Sequence, residues 1–436
     1  MEVDKNSLTE LGIFDSSEDK SVFSLLNFSI TTQGKEKLKN FLSRPLSSVL
    51  EISNFQLSVK IFSQVKWMQN IQNGTLLVAS QFFESNISPL SSYPGKFETF
   101  NYKTFNKPDY NLIKYSVQHI LIFLKDLNGF VQQLPNDLVE PLKSTVKSIN
   151  DDLQQQDIQN ILSFASSNEL SDKQLLHFAH ALKHRLKNII RRLIDSYSVL
   201  DALHSIAVAN EKLHLFFPQF VNTEFPYIKA KGLFHPLIEE PVSYDIELNK
   251  DKNFMFLTSA NMAGKSTFIK ATGLAVYLAH CGFGVPATAL SLCYFEGLQS
   301  NINITDSVSR GESYFYTEVQ RIATTVKKIN NGKRWLILID ELFKGTNVQD
   351  AMKCSLTVIE GLVKIKTSAF ILSTHLYEIS EDLKKFTNIQ FKYFQTEVKD
   401  DIPVFSYKLL DGISNDRLGF LILKQSGVVK ILSDLK

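Results

Sequence analysis

The stretch 258-TSANMAGKST-267 decides how the C-terminal half of this chain is read. It ends as a phosphate-binding loop ends, in Gly264-Lys265-Ser266-Thr267, but the pattern G-x-x-x-x-G-K-[ST] asks for glycine where Ser259 stands. Its surroundings favour a true site over a chance GKST. A short apolar strand, Phe254 to Leu257, runs into it and a helix starting at Lys265 leaves it, the arrangement in which backbone N–H groups and a helix N-terminus hold phosphate. In that frame Lys265 reaches the β- and γ-phosphates and the Ser266 hydroxyl ligates Mg²⁺. Gly264 lets the backbone approach the phosphates, and Ser259 and Ala263 are small enough for the turn if Ser259 avoids positive φ.

Other parts of a phosphoryl-transfer site follow in order. The run 335-WLILIDEL-342 is a strand ending in Asp340, a candidate Mg²⁺ ligand, and Glu341, a candidate base for the attacking water. The alternative is a buried strand with a solvated acidic end. A third strand, 370-FILSTHLYE-378, carries His375 where it could sense a γ-phosphate beside Glu341; a strand-end histidine can also be structural. Between them, 310-RGESYFYTE-318 leads through Gly311 into a helix starting near Ser313, either an anion site or an ordinary serine N-cap.

The rest of the chain bounds this reading. Its 436 residues are 44% hydrophobic, enough for two or three domains with real cores. Lys and Arg total 47 against 45 Asp and Glu, so no global charge draws it to nucleic acid. Cys281, Cys293 and Cys354 lack C-x-x-C spacing and suit a reducing compartment, and the N-terminus has no signal-peptide pattern, so a cytoplasmic location is expected. The apolar run 273–292 reads as a buried helix ending near Cys281-Gly282, not a membrane span. Residues 20–85 have helical spacing, 91–111 reads as a long loop, and Ser171 to Phe217, free of Gly and Pro, predicts one long helix over about 172–217. After Pro218 short β-rich runs alternate with helical stretches. The expectation is a multidomain α plus α/β protein: an all-helical domain over 1–225, then an α/β domain over 226–436 with a mostly parallel sheet.

These motifs resemble the ATPase domain of the MutS family of DNA mismatch-recognition proteins. TSANMAGKST is similar to the family's TGPNMGGKST, RGESYFYTE to SGRSTFMxE, LILIDELFKGTNVQDA to LxLxDExGRGTSTxDG, and ILSTHLYEI to FATHYxEL. The likeness extends to 233-LFHPLIE-239 and 405-FSYKLLDGISNDRLGF-420, and in the N-terminal half to 23-FSLLNFSITTQGKEKLKNFLSRPL-46 and 200-LDALHSIAVA-209. The resemblance implies an ABC-type ATPase using ATP and Mg²⁺. Lys265, Ser266 and Thr267 would lie in the phosphate loop, Asn261 would contact nucleotide, and Asp340 and Glu341 would be metal ligand and base. Tyr407 would lie near the adenine and Val242 in the base-packing segment. Ser313 would act in trans in a homodimer with composite sites, and Asp350 would communicate across it. Departures from the family pattern are Ser259, Ala263, Glu312, Lys344 and Arg417. By this resemblance the chain would start at the family's core domain, and the Phe-x-Glu wedge and connector domains are not expected in it.

Two functions follow. One is a dimeric MutS-like ATPase clamp on DNA, of the mismatch repair or recombination type, recognising DNA structure without the wedge. Lys183, Lys187 and Arg191, spaced i, i+4 and i+8, are its candidate phosphate contacts, or else a solvated helix face. The other is an ATP-switched clamp on a protein or ribonucleoprotein partner.

Overall fold

The computed structural model describes residues 1–14, 21–164, 170–302, 314–399, 402–414 and 418–433. They form two compact units: one of Met1–Leu25, Pro45–Ile52 and Lys212–Lys436, the other of Leu26–Arg44 and Ser53–Glu211. The division therefore falls near 212 and not at 225, and two N-terminal pieces pack with the C-terminal unit. Buried polar contacts explain why. Glu10, on the helix Lys5–Glu10, accepts from the Ile302 N–H at 2.8 Å and the Ser300 hydroxyl at 2.6 Å and pairs with Arg321. Leu46 donates its N–H to the His280 carbonyl at 2.8 Å, and its own carbonyl accepts from the Tyr294 hydroxyl at 3.0 Å.

The α/β unit is built on a seven-stranded sheet. Its strand order is Glu2–Val3, Gly297–Asn301, Trp335–Asp340, Ala369–Thr374, Phe254–Thr258, Ile389–Lys399 and Ile402–Asp411. All neighbours are parallel except the last pair. The four strands from Gly297–Asn301 to Phe254–Thr258 in that order are buried at every residue, as continuous apolar runs covered on both faces require. The helix Lys265–His280 packs on them and ends in the Cys281-Gly282 turn, where Gly282 takes φ +80°. It is thus the buried helix expected, and no described helix is long and apolar enough to cross a membrane. A second sheet orders Gln219–Phe220, Ala289–Leu292, Ile228–Leu233 and Tyr244–Leu248.

In the helical unit, Asp172–Ala181, a π-helical turn Leu182–Leu186 and Lys187–Lys212 run as one helical stretch of about 60 Å. Ser171 and Gln174 form its capping box, and it stops at Lys212, short of the expected 217. The expected loop over 91–111 is a further correction, since helices occupy Lys96–Phe105 and Lys107–Val131. Its breakers sit where helices tolerate them: Gly95 is the N-cap of the first helix and Pro108 lies in the first turn of the second. Thr31 caps the helix Thr32–Ser43, while the buried Asp201 carboxylate accepts from the Ile30 and Thr31 N–H groups at 3.0 and 2.9 Å.

Candidate nucleotide site

Parallel register sets the site. Thr258 pairs with Thr374, and Asp340 with Ser373, so three adjacent strands end at one level and release the 259–264 loop, Glu341 and His375 side by side. The carboxyl ends of parallel strands are where such sheets bind ligands.

Within the loop, Gly264 takes φ +106° immediately before the helix. A Cβ there would come within 3.2 Å of the Tyr407 ring, so glycine is required both for the turn and for the close approach. The other left-handed residue is Met262, at φ +67°, while Ser259 is not in that region. Ser259 therefore meets the steric condition that a non-glycine residue there must satisfy. Lys265 is buried, and its Nζ donates to the carbonyls of Ser259 at 2.8 Å and Ala260 at 3.0 Å and lies 3.3 Å from His375 Nε2. Burial lowers its pKa to about 8, against the pull of Glu341 and Asp340.

Asp340 bridges two hydroxyls, Ser266 through one oxygen and Ser373 through the other. The Glu341 carboxylate is 2.9 Å from His375 Nε2 and 3.5 Å from Lys344 Nζ. Burial alone would raise its pKa, but the His375 hydrogen bond, with the charges of His375, Lys344 and Lys265, holds it below the usual value. Glu341 has φ +64° and Phe343 φ +59°, so the turn after the strand is strained. Two clasps hold it: the Glu341 N–H donates to the Ser373 carbonyl at 2.9 Å, and the buried Glu318 carboxylate accepts from the Lys344 and Gly345 N–H groups at 3.1 Å each.

A cavity of about 460 Å³ opens over the loop. Asn261, Gly264, Lys265, Ser266, Thr267, Glu341, Val242 and Tyr407 all line it, together with Tyr244 and Ile238. His375 borders a second cavity of about 600 Å³, also lined by Leu418 and Ile422. Asp350 lies apart, bonded to Asn347 at the start of the helix Val348–Leu362. Ser313, with Glu312 and Arg417, lies outside the described residues.

The basic stripe belongs to the helical unit, where Lys183 and Lys187 are half-buried and Arg191 is exposed. Lys183 donates to the Ser85 carbonyl at 2.6 Å, Lys187 to the Phe83 carbonyl at 3.3 Å, and Arg191 pairs with Glu84 at 2.5 Å. These cations complete the C-terminal end of the helix Asn73–Glu84, where unpaired carbonyls and the helix dipole attract positive charge. These intramolecular bonds compete with any use of the three as phosphate contacts. Sequence reasoning missed Glu318 and Ser373. Glu318 stands inside a quoted motif, but its partners are 26 and 27 residues away.

Comparison with known proteins agrees with this layout. The family model described as MutS domain V matches residues 255–434. The DNA mismatch repair protein MutS of Thermotoga maritima is 28% identical over 246 residues, covering 56% of this chain and 30% of that protein. Its namesake from Streptococcus gordonii is 29% identical over 245 residues, or 55% and 28%. The Pseudothermotoga lettingae protein is 26% identical over 312 residues, or 70% and 38%. The aligned region thus spans between 28% and 38% of these relatives' own lengths. Over residues 255–434 the chain is thus similar to MutS domain V, and its similarity to the MutS proteins lies in and around that part.

Proposed function

We propose that the chain is a Mg²⁺-dependent ATPase of the ABC type that works as a homodimer on DNA. The observation that carries this is the meeting, at three adjacent strand ends, of Lys265, the Ser266–Asp340 pair and the Glu341–His375 pair. The residues fit the group. The loop N–H groups open a helix, Lys265 spends its charge on two backbone carbonyls that phosphate oxygens would replace, and the cavity has the size of a small-molecule site. Among the described residues no group of three or more His, Cys, Asp or Glu gathers as an ion cage, and Mg²⁺ bound through Ser266 and Asp340 would take its other ligands from phosphate and water.

Bound ATP would supply the phosphoryl group transferred to water. Lys265 binds the β- and γ-phosphates, and Val242 and Tyr407 flank the base. Glu341 accepts the proton of the attacking water on a carboxylate oxygen, with His375 Nε2 fixing the carboxylate and sensing the γ-phosphate. Ser313 of a second copy completes the site in trans. The test is steady-state ATP hydrolysis by the purified chain, with Lys265→Ala as the blank and Glu341→Gln as the variant that binds without turnover. Hydrolysis that survives Lys265→Ala overturns the assignment.

A second reading has the ATP-switched clamp act on a protein or ribonucleoprotein partner in the cytoplasm. The engagement of Lys183, Lys187 and Arg191 at the end of the helix Asn73–Glu84 favours it, because these bonds compete with contacts to DNA phosphates. Hydrolysis changed by homoduplex, mismatched or branched DNA selects the first reading. Hydrolysis indifferent to all of them selects the second.

A further inference from the structure

The helical unit carries a surface that the nucleotide site does not use. In the helix Lys96–Phe105, Thr99 and Tyr102 are buried, and the Tyr102 hydroxyl donates to the Ser88 carbonyl at 3.1 Å. At 100° per residue, Phe97, Phe100 and Phe105 fall within an arc of about 140° on the opposite side. They are 78%, 64% and 78% exposed, and Tyr93, stacked on His177 just before the helix, is 79% exposed. Apart from the Tyr93–His177 stack, these rings are largely bare among the described residues, whereas a helix face without a partner is ordinarily polar.

Charge around the rings leans positive, with Lys96, Lys103, Lys107 and Lys114 against Glu98 and Asp109 in residues 93–115. Lys96, Lys107 and Lys114 are exposed and form no hydrogen bond or ion pair among the described residues. The carboxylates nearby are already engaged: Glu98 accepts from the Gly95 N–H, Asp109 from the Ser88 N–H, and Asp172 from Lys103 and Tyr110. Aromatic rings are also enriched in protein interfaces, but lysines are depleted there, and here they stand among the rings. Bare rings interspersed with unpaired cations suit a strand whose bases are free to stack and whose backbone is anionic. Duplex bases are already stacked on one another and cannot offer their faces.

We infer that the exposed face of Tyr93 to Tyr115 binds single-stranded nucleic acid, its bases stacking on Tyr93, Phe97, Phe100 and Phe105 and its phosphates meeting Lys96, Lys107 and Lys114. This goes beyond the ATPase reading and does not depend on it, because no residue of the nucleotide site lies in this segment.

The test is fluorescence anisotropy of the full chain, without nucleotide, against labelled 20-mer single-stranded DNA, single-stranded RNA of the same sequence, and duplex DNA. Wild type binds one or both single strands more tightly than duplex, and the two arms tell which sugar is accepted. Phe97→Ala with Phe100→Ala weakens single-strand binding by about 10- to 100-fold, as the loss of one or two stacked bases requires, while the thermal midpoint and ATP turnover stay at wild-type values. Lys107→Gln with Lys114→Gln lowers the slope of log affinity against log salt by about 1.4. Wild-type binding that is absent or strongest for duplex, or unchanged in the phenylalanine variant, overturns the proposal. So does a wild-type chain that self-associates through this face, seen as oligomers in sedimentation that the phenylalanine variant abolishes.

Discussion

Replacing Glu318 with alanine removes the single carboxylate that holds the turn after Glu341. Its two oxygens accept the Lys344 and Gly345 N–H groups at 3.1 Å each, in a place where the side chain is 2% exposed. A buried N–H left without an acceptor costs about 1–3 kcal/mol, so two orphans set a range of about 2–6 kcal/mol. Water entering the vacated space returns part of that, which leaves an expected loss of about 2–4 kcal/mol in urea unfolding of the α/β unit. The same turn keeps Glu341 and Phe343 in the left-handed region, a conformation that persists only while its surroundings enforce it. If about 2 kcal/mol of that enforcement is lost from the positioning of Glu341, ATP turnover falls about 30-fold while nucleotide affinity, set by the 259–267 loop, changes little. Glu318→Gln keeps one acceptor and is expected to lose about 5-fold. Steady-state turnover and equilibrium nucleotide binding on the same preparations separate the two effects. Glu318→Ala that turns over within 2-fold of wild type and unfolds at the same urea concentration would refute the clasp.

Two more predictions concern the helical unit. His204 stacks on Trp67 at 4.1 Å, and burial lowers its pKa from 6.5 to about 4. The unfolded chain then binds a proton that the folded protein refuses, so this contribution to stability is complete above about pH 6.5 and is lost as pH falls toward 4. His235 and His280 are lowered by burial in the same sense in the other unit, so the readout is the difference between wild type and His204→Phe. That substitution should flatten the fall in unfolding free energy between pH 7 and pH 5 by on the order of 1–2 kcal/mol; an unchanged slope contradicts it. Lys183→Ala should destabilise the helical unit by about 1–2 kcal/mol, through loss of its bond to the Ser85 carbonyl, and leave duplex-DNA affinity where it was. A large loss of affinity at unchanged stability would restore the stripe as a phosphate contact.

The chain's own order of residues determined the nucleotide constellation. Phosphate binding needs neighbouring N–H groups, a glycine and a lysine in one loop, and each proposed catalytic group closes its own apolar strand, so every piece is written locally. The buried strands Trp335–Asp340 and Ala369–Thr374 are legible for the same reason, as apolar runs with polar ends. Contacts between distant segments are not written this way. That Glu318 clasps the turn at Lys344 and Gly345 follows from packing of the helix Tyr314–Ile329, not from spacing. That residues 1–25 belong with the C-terminal unit follows from Glu10 meeting Ile302 and Arg321, nearly three hundred residues or more away. The basic stripe shows the limit most directly. Helical spacing placed Lys183, Lys187 and Arg191 on one side of a helix, but whether that side meets solvent, phosphate or another helix is decided by tertiary packing. Here a helix ending at Glu84 presents its carbonyls and carboxylate to the stripe, and the charges are engaged at the end of that helix.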